Sequence, residues 1–107
     1  MNKLIIETLS PLGIPVSFRT YSGSEPTYIT FFTYLEQGEE FADDEEVLTG
    51  HYIQIDIFSK GNYSEIVKQA EKLLKAKGFK KRSQFDAPYE KDTGFYHKVL
   101  RYLYEEE

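Results

Sequence analysis

Alternation of apolar and polar positions is the clearest pattern along this chain. Residues 51–59, HYIQIDIFS, place Ile53, Ile55 and Ile57 at every second position, with Gln54 and Asp56 between them. Successive side chains of a β-strand point to opposite faces of a sheet, so this pattern predicts a strand with one core face and one polar face. Residues 27–35, TYITFFTYL, are rich in β-branched and aromatic residues, which predicts a second strand.

Helical spacing of apolar positions follows directly after this strand. Residues 61–78, GNYSEIVKQAEKLLKAKG, form an apolar stripe that predicts one long amphipathic helix: Ile66, Val67, Ala70, Leu73 and Leu74. Asn62 with Glu65 fits a capping box, and Gly78 stands where a left-handed C-terminal cap belongs. The same spacing over residues 2–12 predicts a short N-terminal helix.

The remaining segments predict further strands. PVSFRTY at 15–21 fits a short edge strand, while FKKRSQF at 79–85 and FYHKVLRYLY at 95–104 flank a turn-rich connection and are expected to pair as a hairpin. The order of elements predicts a single α+β domain over residues 1–107. In it, one long amphipathic helix and a short N-terminal helix pack on a mostly antiparallel sheet.

Composition narrows the functional classes. The chain has no cysteine, which excludes disulfides and thiol chemistry and fits an intracellular origin. Its net charge of −5 argues against direct, sequence-specific or general, binding of nucleic acid. The N-terminal apolar patch, interrupted by Glu7, is too short for a signal peptide or a membrane span, so no membrane partner is expected.

A run of acidic residues interrupts the predicted strands. Seven of the eleven residues in EQGEEFADDEE, 36–46, are acidic. An EF-hand type of calcium site needs ligands at fixed alternate positions around a central glycine, and Gly38 instead precedes most of the acids. We therefore interpret the run as a long, solvated loop between two strands and predict that no metal is bound at Asp43, Asp44, Glu45 and Glu46.

Catalytic chemistry has few candidate residues in this sequence. His51 and His97 could act as a general base and acid, but neither lies near a nucleophile elbow or a glycine-rich phosphate loop. We predict that both histidines are dispensable for any chemistry, and that the protein is not an enzyme. No catalytic residue, cofactor or small-molecule substrate is expected.

Two features point to association with other proteins. The chain contains nine tyrosines and eight phenylalanines, more than one helix layer is expected to bury, and such rings are enriched at protein interfaces. Residues 72–82, KLLKAKGFKKR, carry six positive charges and no acid, opposite in sign to 36–46. The predicted interface residues are Glu39, Glu40, Asp43, Asp44, Glu45, Glu46, Lys75, Lys77, Lys80 and Lys81. Opposite blocks on one small domain suggest head-to-tail association.

Several of these segments together resemble a known family. The aromatic-rich PTYITFF, the strand from His51 to Ser59, the amphipathic helix after it, and the closing segment from Gly94 to His97 are similar to the tail completion, or head–tail joining, proteins of long-tailed phages and prophages. The resemblance extends from Pro26 to Leu103.

The resemblance implies a structural virion protein without enzymatic activity. Members of this family form rings, often hexameric, between the head connector and the tail tube. The expected partners are therefore further copies of this chain and neighbouring neck or tail proteins, and the expected locations are the virion neck and, before assembly, the bacterial host cytoplasm. The alternative reading is a small intracellular binding or regulatory module that uses the aromatic face of its sheet.

Overall fold

The computed structural model describes residues 1–42 and 45–106, and at residues 39–42 and 45–47 it describes the backbone alone. Helix α1 (Asn2–Leu9) continues into a 3₁₀ turn at Ser10–Leu12, and helix α2 spans Ser64–Ala76. The strands are β1 (Val16–Phe18), β2 (Thr27–Ala42), β3 (Glu45–Ser59), β4 (Lys80–Glu90) and β5 (Phe95–Glu106).

The five strands form one sheet in the order β1-β2-β3-β5-β4. Strand β1 runs parallel to β2, from Val16 opposite Ile29 to Phe18 opposite Phe31. The other three pairings are antiparallel, including the predicted hairpin of β4 and β5. The sheet is therefore mixed, with its single parallel pairing at one edge.

The predicted fold class is wrong in its helices. The residues that the structure describes form a mixed α/β fold with a five-stranded sheet and two short helices, and they include no long amphipathic helix. Helix α2 has 13 residues because both ends of the predicted segment adopt other conformations. Asn62 accepts a hydrogen bond from the Ser64 N–H at 2.9 Å without forming a capping box, and Gly78 leaves the helix with a φ of +99°.

The acidic stretch is also placed differently from the prediction. Residues 36–42 and 45–46 belong to β2 and β3, not to a loop. The antiparallel pairing continues from Glu36 opposite His51 to Ala42 opposite Glu45, with two irregularities on the way. Glutamate is only weakly unfavourable in a β-strand. Continued pairing with the neighbouring strand overrides this weak preference against strand structure.

Both helices pack on the same face of the sheet. The isoleucines at every second position of β3 lie in this core, as the alternation predicted. The buried cluster consists of Ile5, Leu9, Ile29, Phe31, Ile53, Ile55, Ile57, Val67, Ala70, Leu74, Phe79, Leu100 and Tyr102. Because both helices lie on one side, no helix covers the opposite face of the sheet in the described part of the chain.

Candidate functional site

Aromatic rings occupy much of the sheet face opposite the helices. Tyr28 stacks on Phe58 with ring centroids 4.8 Å apart, and Phe95 meets Tyr28 edge-on at 5.4 Å. Farther along the same face, Tyr34 and Phe85 are 44% and 46% exposed. We call this surface the open face. It presents large apolar rings to solvent next to polar groups, the mixture that is typical of protein interfaces.

A network of hydrogen-bonded polar side chains crosses the open face. The Asp56 carboxylate oxygen Oδ1 lies 2.7 Å from His97 Nε2 and accepts a hydrogen bond from Gln54 Nε2 at 2.9 Å. Arg101 Nε then donates to Gln54 Oε1 at 3.1 Å. The Asp56 side chain is only 8% exposed, so these bonds offset the cost of burying its polar atoms.

Three aromatic contacts hold the two ends of this polar network. His97 stacks on Phe58 with ring centroids 4.1 Å apart. The Arg101 guanidinium carbon lies 5.6 Å from the Tyr34 ring centroid and 5.5 Å from that of Phe85. The carboxylate thus fixes His97 and Gln54, and the arginine rests on two exposed rings. This arrangement orders a surface and leaves the charged Arg101 head available to a partner.

His51 lies on the other face, in a separate cluster. Its side chain is 9% exposed, with Nδ1 3.2 Å from Glu36 Oε1 and Nε2 2.5 Å from Glu106 Oε1. Both contacts are to carboxylate oxygens, which accept hydrogen bonds from a ring N–H. His51 therefore ties β2, β3 and β5 together at one level of the sheet.

The β2–β3 hairpin continues beyond this level as a two-stranded ribbon. Pairing of β3 with β5 begins at Thr49 opposite Glu106, and nearer the hairpin end the described pairs of Glu45, Glu46 and Leu48 are with β2. The molecule measures 53 × 25 × 23 Å. Of the predicted interface acids, Glu39 and Glu40 belong to β2 and Glu45 and Glu46 to β3, while Asp43 and Asp44 lie outside the described residues.

The predicted basic residues gather where α2 ends and β4 begins. Lys75 is in the last turn of α2, Lys77 caps it, and Lys80 and Lys81 open β4. Lys80 Nζ lies 2.6 Å from Glu105 Oε1, and this hydrogen bond raises the Lys80 pKa. Lys81 Nζ lies 2.9 Å from Glu71 Oε2. Two of the four lysines are thus paired with acids of their own chain, outside the 36–46 run.

A groove lies between α2 and β4 beside these lysines. It has a volume of 810 Å³, with Phe79 and Tyr102 at its base. Five lysines and two glutamates line it: Lys68, Lys72, Lys75, Lys80, Lys81, Glu65 and Glu71. Lys72 belongs to the basic block 72–82, but Lys68 was not predicted as part of this surface, although its helical spacing with Lys72 and Lys75 was a usable signal.

A tyrosine–carboxylate pair lies at the other end of the helix layer. Tyr63 Oη donates to Asp86 Oδ1 at 2.6 Å. Burial and this bond raise the Tyr63 pKa to about 12, and the same bond, assisted by Lys98, lowers the Asp86 pKa. At neutral pH the tyrosine is therefore protonated and the aspartate ionised, as both are ordinarily. The pair stabilises the fold through its hydrogen bond.

Comparison with protein-family models and with curated proteins found no match to this chain. Among the described residues, no group of three or more histidine, aspartate or glutamate side chains is arranged to hold a metal ion. The helices of the same residues are too short or too polar to cross a bilayer.

Proposed function

We propose that this protein is a structural component of a phage or prophage virion, a tail completion or head–tail joining protein. Several copies form a ring at the neck, between the connector and the tail tube, after folding in the host cytoplasm. The proposal is supported by the sequence resemblance over Pro26 to Leu103 and by the surfaces described above. It assigns the protein no enzymatic activity.

The open face is the observation that carries this proposal. A sheet is stable when each apolar face is covered, and here both helices lie on one side only. The other side carries Tyr34 and Phe85, each close to half exposed, beside the rings of Tyr28, Tyr52 and Phe58. Contact with neighbouring copies removes such rings from water, which supplies the main driving force for association.

The charged residues add direction to the association. In a closed ring each copy presents two different surfaces, one to each neighbour. The acidic ribbon is built on β2 and β3, whereas the lysines lie beside β4 at the opposite edge of the sheet. Exposed ion pairs contribute only about 0.2–1 kcal/mol each and weaken with salt, so they orient the copies and the rings supply the affinity.

Charge reversal with compensation tests the proposal. Wild-type protein is expected to form rings by light scattering or mass photometry. A variant with Asp43, Asp44, Glu45 and Glu46 changed to lysine should remain monomeric. Mixing it with a second variant, in which Lys75, Lys77, Lys80 and Lys81 are changed to glutamate, should restore a mixed assembly. A reversed ribbon that still forms rings alone, with unchanged salt dependence, contradicts the contact between copies.

A second candidate function uses the same open face. Arg101, held over Tyr34 and Phe85, also suits a small intracellular module that binds one partner protein in a regulatory role. The two functions differ in self-association, because a binding module stays monomeric at high concentration. They also differ in gene neighbourhood: capsid, connector and tail-tube genes beside this one favour the virion protein.

A further inference from the structure

Two edges of the sheet have no neighbouring strand over part of their length, within the described residues. Strand β4 pairs with β5 on one side, and on its other side no strand lies within the described residues. Strand β2 pairs with β1 from Ile29 to Phe31, and within the described residues no strand lies on that side of β2 beyond Phe31. Unpaired N–H and C=O groups along a strand edge are a template for pairing with another chain.

These two edges are complementary in direction. Each antiparallel pairing reverses the strand direction, so β2 and β5 run one way and β3 and β4 the other. When two copies stand side by side in the same orientation, β4 of the first copy meets β2 of the second in antiparallel fashion. This contact joins unlike surfaces and repeats from copy to copy.

The groove beside β4 supplies positive charge along that edge. Lys68, Lys72 and Lys75 have no ion-pair partner anywhere in the part of the chain that the structure describes, and they are surface-exposed. At 1.5 Å per residue, they span about 10 Å of α2. Residues 36–40 of β2 include Glu36, Glu39 and Glu40, and five strand residues span about 13 Å. The lengths and signs of the two rows match.

We propose that β2 of the next copy adds to β4 as an antiparallel strand, with residues 36–40 alongside 80–84 and the lysine row of α2 facing the incoming acidic strand. The inference rests on the proposed ring and specifies its contact. Within one copy, Lys80 lies level with Leu35 across the sheet, by way of Leu103 and Tyr52. The proposed alignment therefore shifts neighbouring copies along the strands by about four or five residues from that level. Such a stagger is what tilted strands need when a sheet closes on itself.

Disulfide trapping tests the contact, since the natural chain has no cysteine. Gln37 is opposite Gly50 and Ser83 is opposite Arg101, which places both residues on the open face and level in the proposed alignment. A mixture of the Gln37→Cys and Ser83→Cys variants should give a crosslinked dimer on oxidation, and neither variant alone should. A Leu35→Cys and Lys80→Cys mixture, which tests the unshifted alignment, should not crosslink.

Charge variants separate this contact from ring formation in general. Changing Lys68, Lys72 and Lys75 to glutamate in the Ser83→Cys chain should abolish the crosslink. Changing the exposed Lys3, Lys60 and Lys91 to glutamate makes an equal charge change outside the groove and should leave the crosslink intact. Circular dichroism checks that both variants fold. The inference is overturned if light scattering shows rings but the 37–83 crosslink does not form. It is also overturned if the crosslink survives reversal of the groove lysines. Both outcomes leave the proposed function standing. A wild-type protein that stays monomeric overturns both.

Discussion

At the scale of single residues, both faces of the sheet are ordered by polar side chains whose partners are distant in the sequence. Asp56 lies in a strand of isoleucines and is held by Gln54 on its own strand and by His97, 41 residues away. His51 is held by Glu36 and Glu106 on two flanking strands. Buried polar groups persist when their hydrogen bonds are complete, and within the described residues no buried side-chain polar atom lacks a partner.

Removal of the Asp56 carboxylate is expected to destabilise the fold. The change Asp56→Ala leaves the partly buried His97 and Gln54 groups without their acceptor, a loss of about 1–3 kcal/mol in the free energy of unfolding. Urea denaturation followed by circular dichroism measures it. The change Asp92→Ala, in the exposed turn between β4 and β5, is the matched control and should have little effect. Equal losses in the two variants would contradict a structural role for the network.

The Tyr63–Asp86 pair makes a prediction about pH. Tyr63 is the largest cause of the lowered Asp86 pKa, so the change Tyr63→Phe should raise that pKa toward 3.8. A carboxylate with a lowered pKa in the folded state adds stability above its unfolded pKa, and this contribution is lost as pH falls through the folded pKa. The variant should therefore show a weaker dependence of stability on pH in this acidic range.

Carboxyl ¹³C NMR titration of Asp86 measures this shift directly. The change Tyr96→Phe removes a hydroxyl from the ring that lies 6.3 Å from Tyr63, and it serves as the control. An Asp86 pKa that moves equally in the two variants would show that the hydrogen bond is not the cause.

At the scale of elements, the length of α2 is decided by its ends. Gly78 adopts a φ of +99° and its N–H donates to the Lys75 carbonyl at 3.0 Å, which allows the chain to turn into β4. The next residue, Phe79, then enters the core. The lysines of α2 and β4 consequently flank one groove, so the C-terminal cap of the helix also positions the candidate interface.

Replacement of this glycine isolates the backbone contribution. A Cβ at position 78 would meet only the Tyr104 ring, at 3.9 Å, so the change Gly78→Ala adds no steric clash. Left-handed backbone costs a residue with a side chain about 1–2 kcal/mol, and thermal or urea unfolding should show a loss of that size. The change Gly61→Ala, with open space and no positive φ, is the control. Unchanged stability at position 78 would show that the turn relaxes without strain.

At the scale of the whole molecule, the fold is one-sided. Helices α1 and α2 bury one face of the sheet, the open face carries exposed rings, and the β2–β3 ribbon extends past the other strands. Two-stranded ribbons have marginal stability in water on their own. The proposed assembly would therefore depend on the surfaces that a single copy leaves uncovered.

The open face makes a prediction about assembly. Changing both Tyr34 and Phe85 to glutamate should give a folded monomer, because each side chain is already close to half exposed and its ring is needed only in the contact. Light scattering measures the assembly. The control changes Ile6 and Tyr96, which are 41% and 47% exposed on the helix side, to glutamate. Rings that persist in the first variant would contradict a role for the open face.

The sequence by itself determined the elements whose pattern is local. The alternation of Ile53, Ile55 and Ile57 predicted the central strand and its core face, and the spacing of the α2 stripe predicted a helix, because side-chain direction follows directly from the backbone repeat. Gly78 was identified as a left-handed cap, since few other residues adopt that conformation without cost.

Only the tertiary structure decided what depends on pairing between distant segments. Strand character at residues 36–42 and 45–46, the parallel pairing of β1 with β2, and the pairing of Lys80 with Glu105 all arise from partners elsewhere in the chain. The intrinsic preferences of these residues for strand or loop are smaller than the free energy gained by pairing with a neighbouring strand. The tertiary fold therefore overrides them. The Asp56–His97 contact belongs here too, because register between strands, which is a property of the whole sheet, brings the two side chains together.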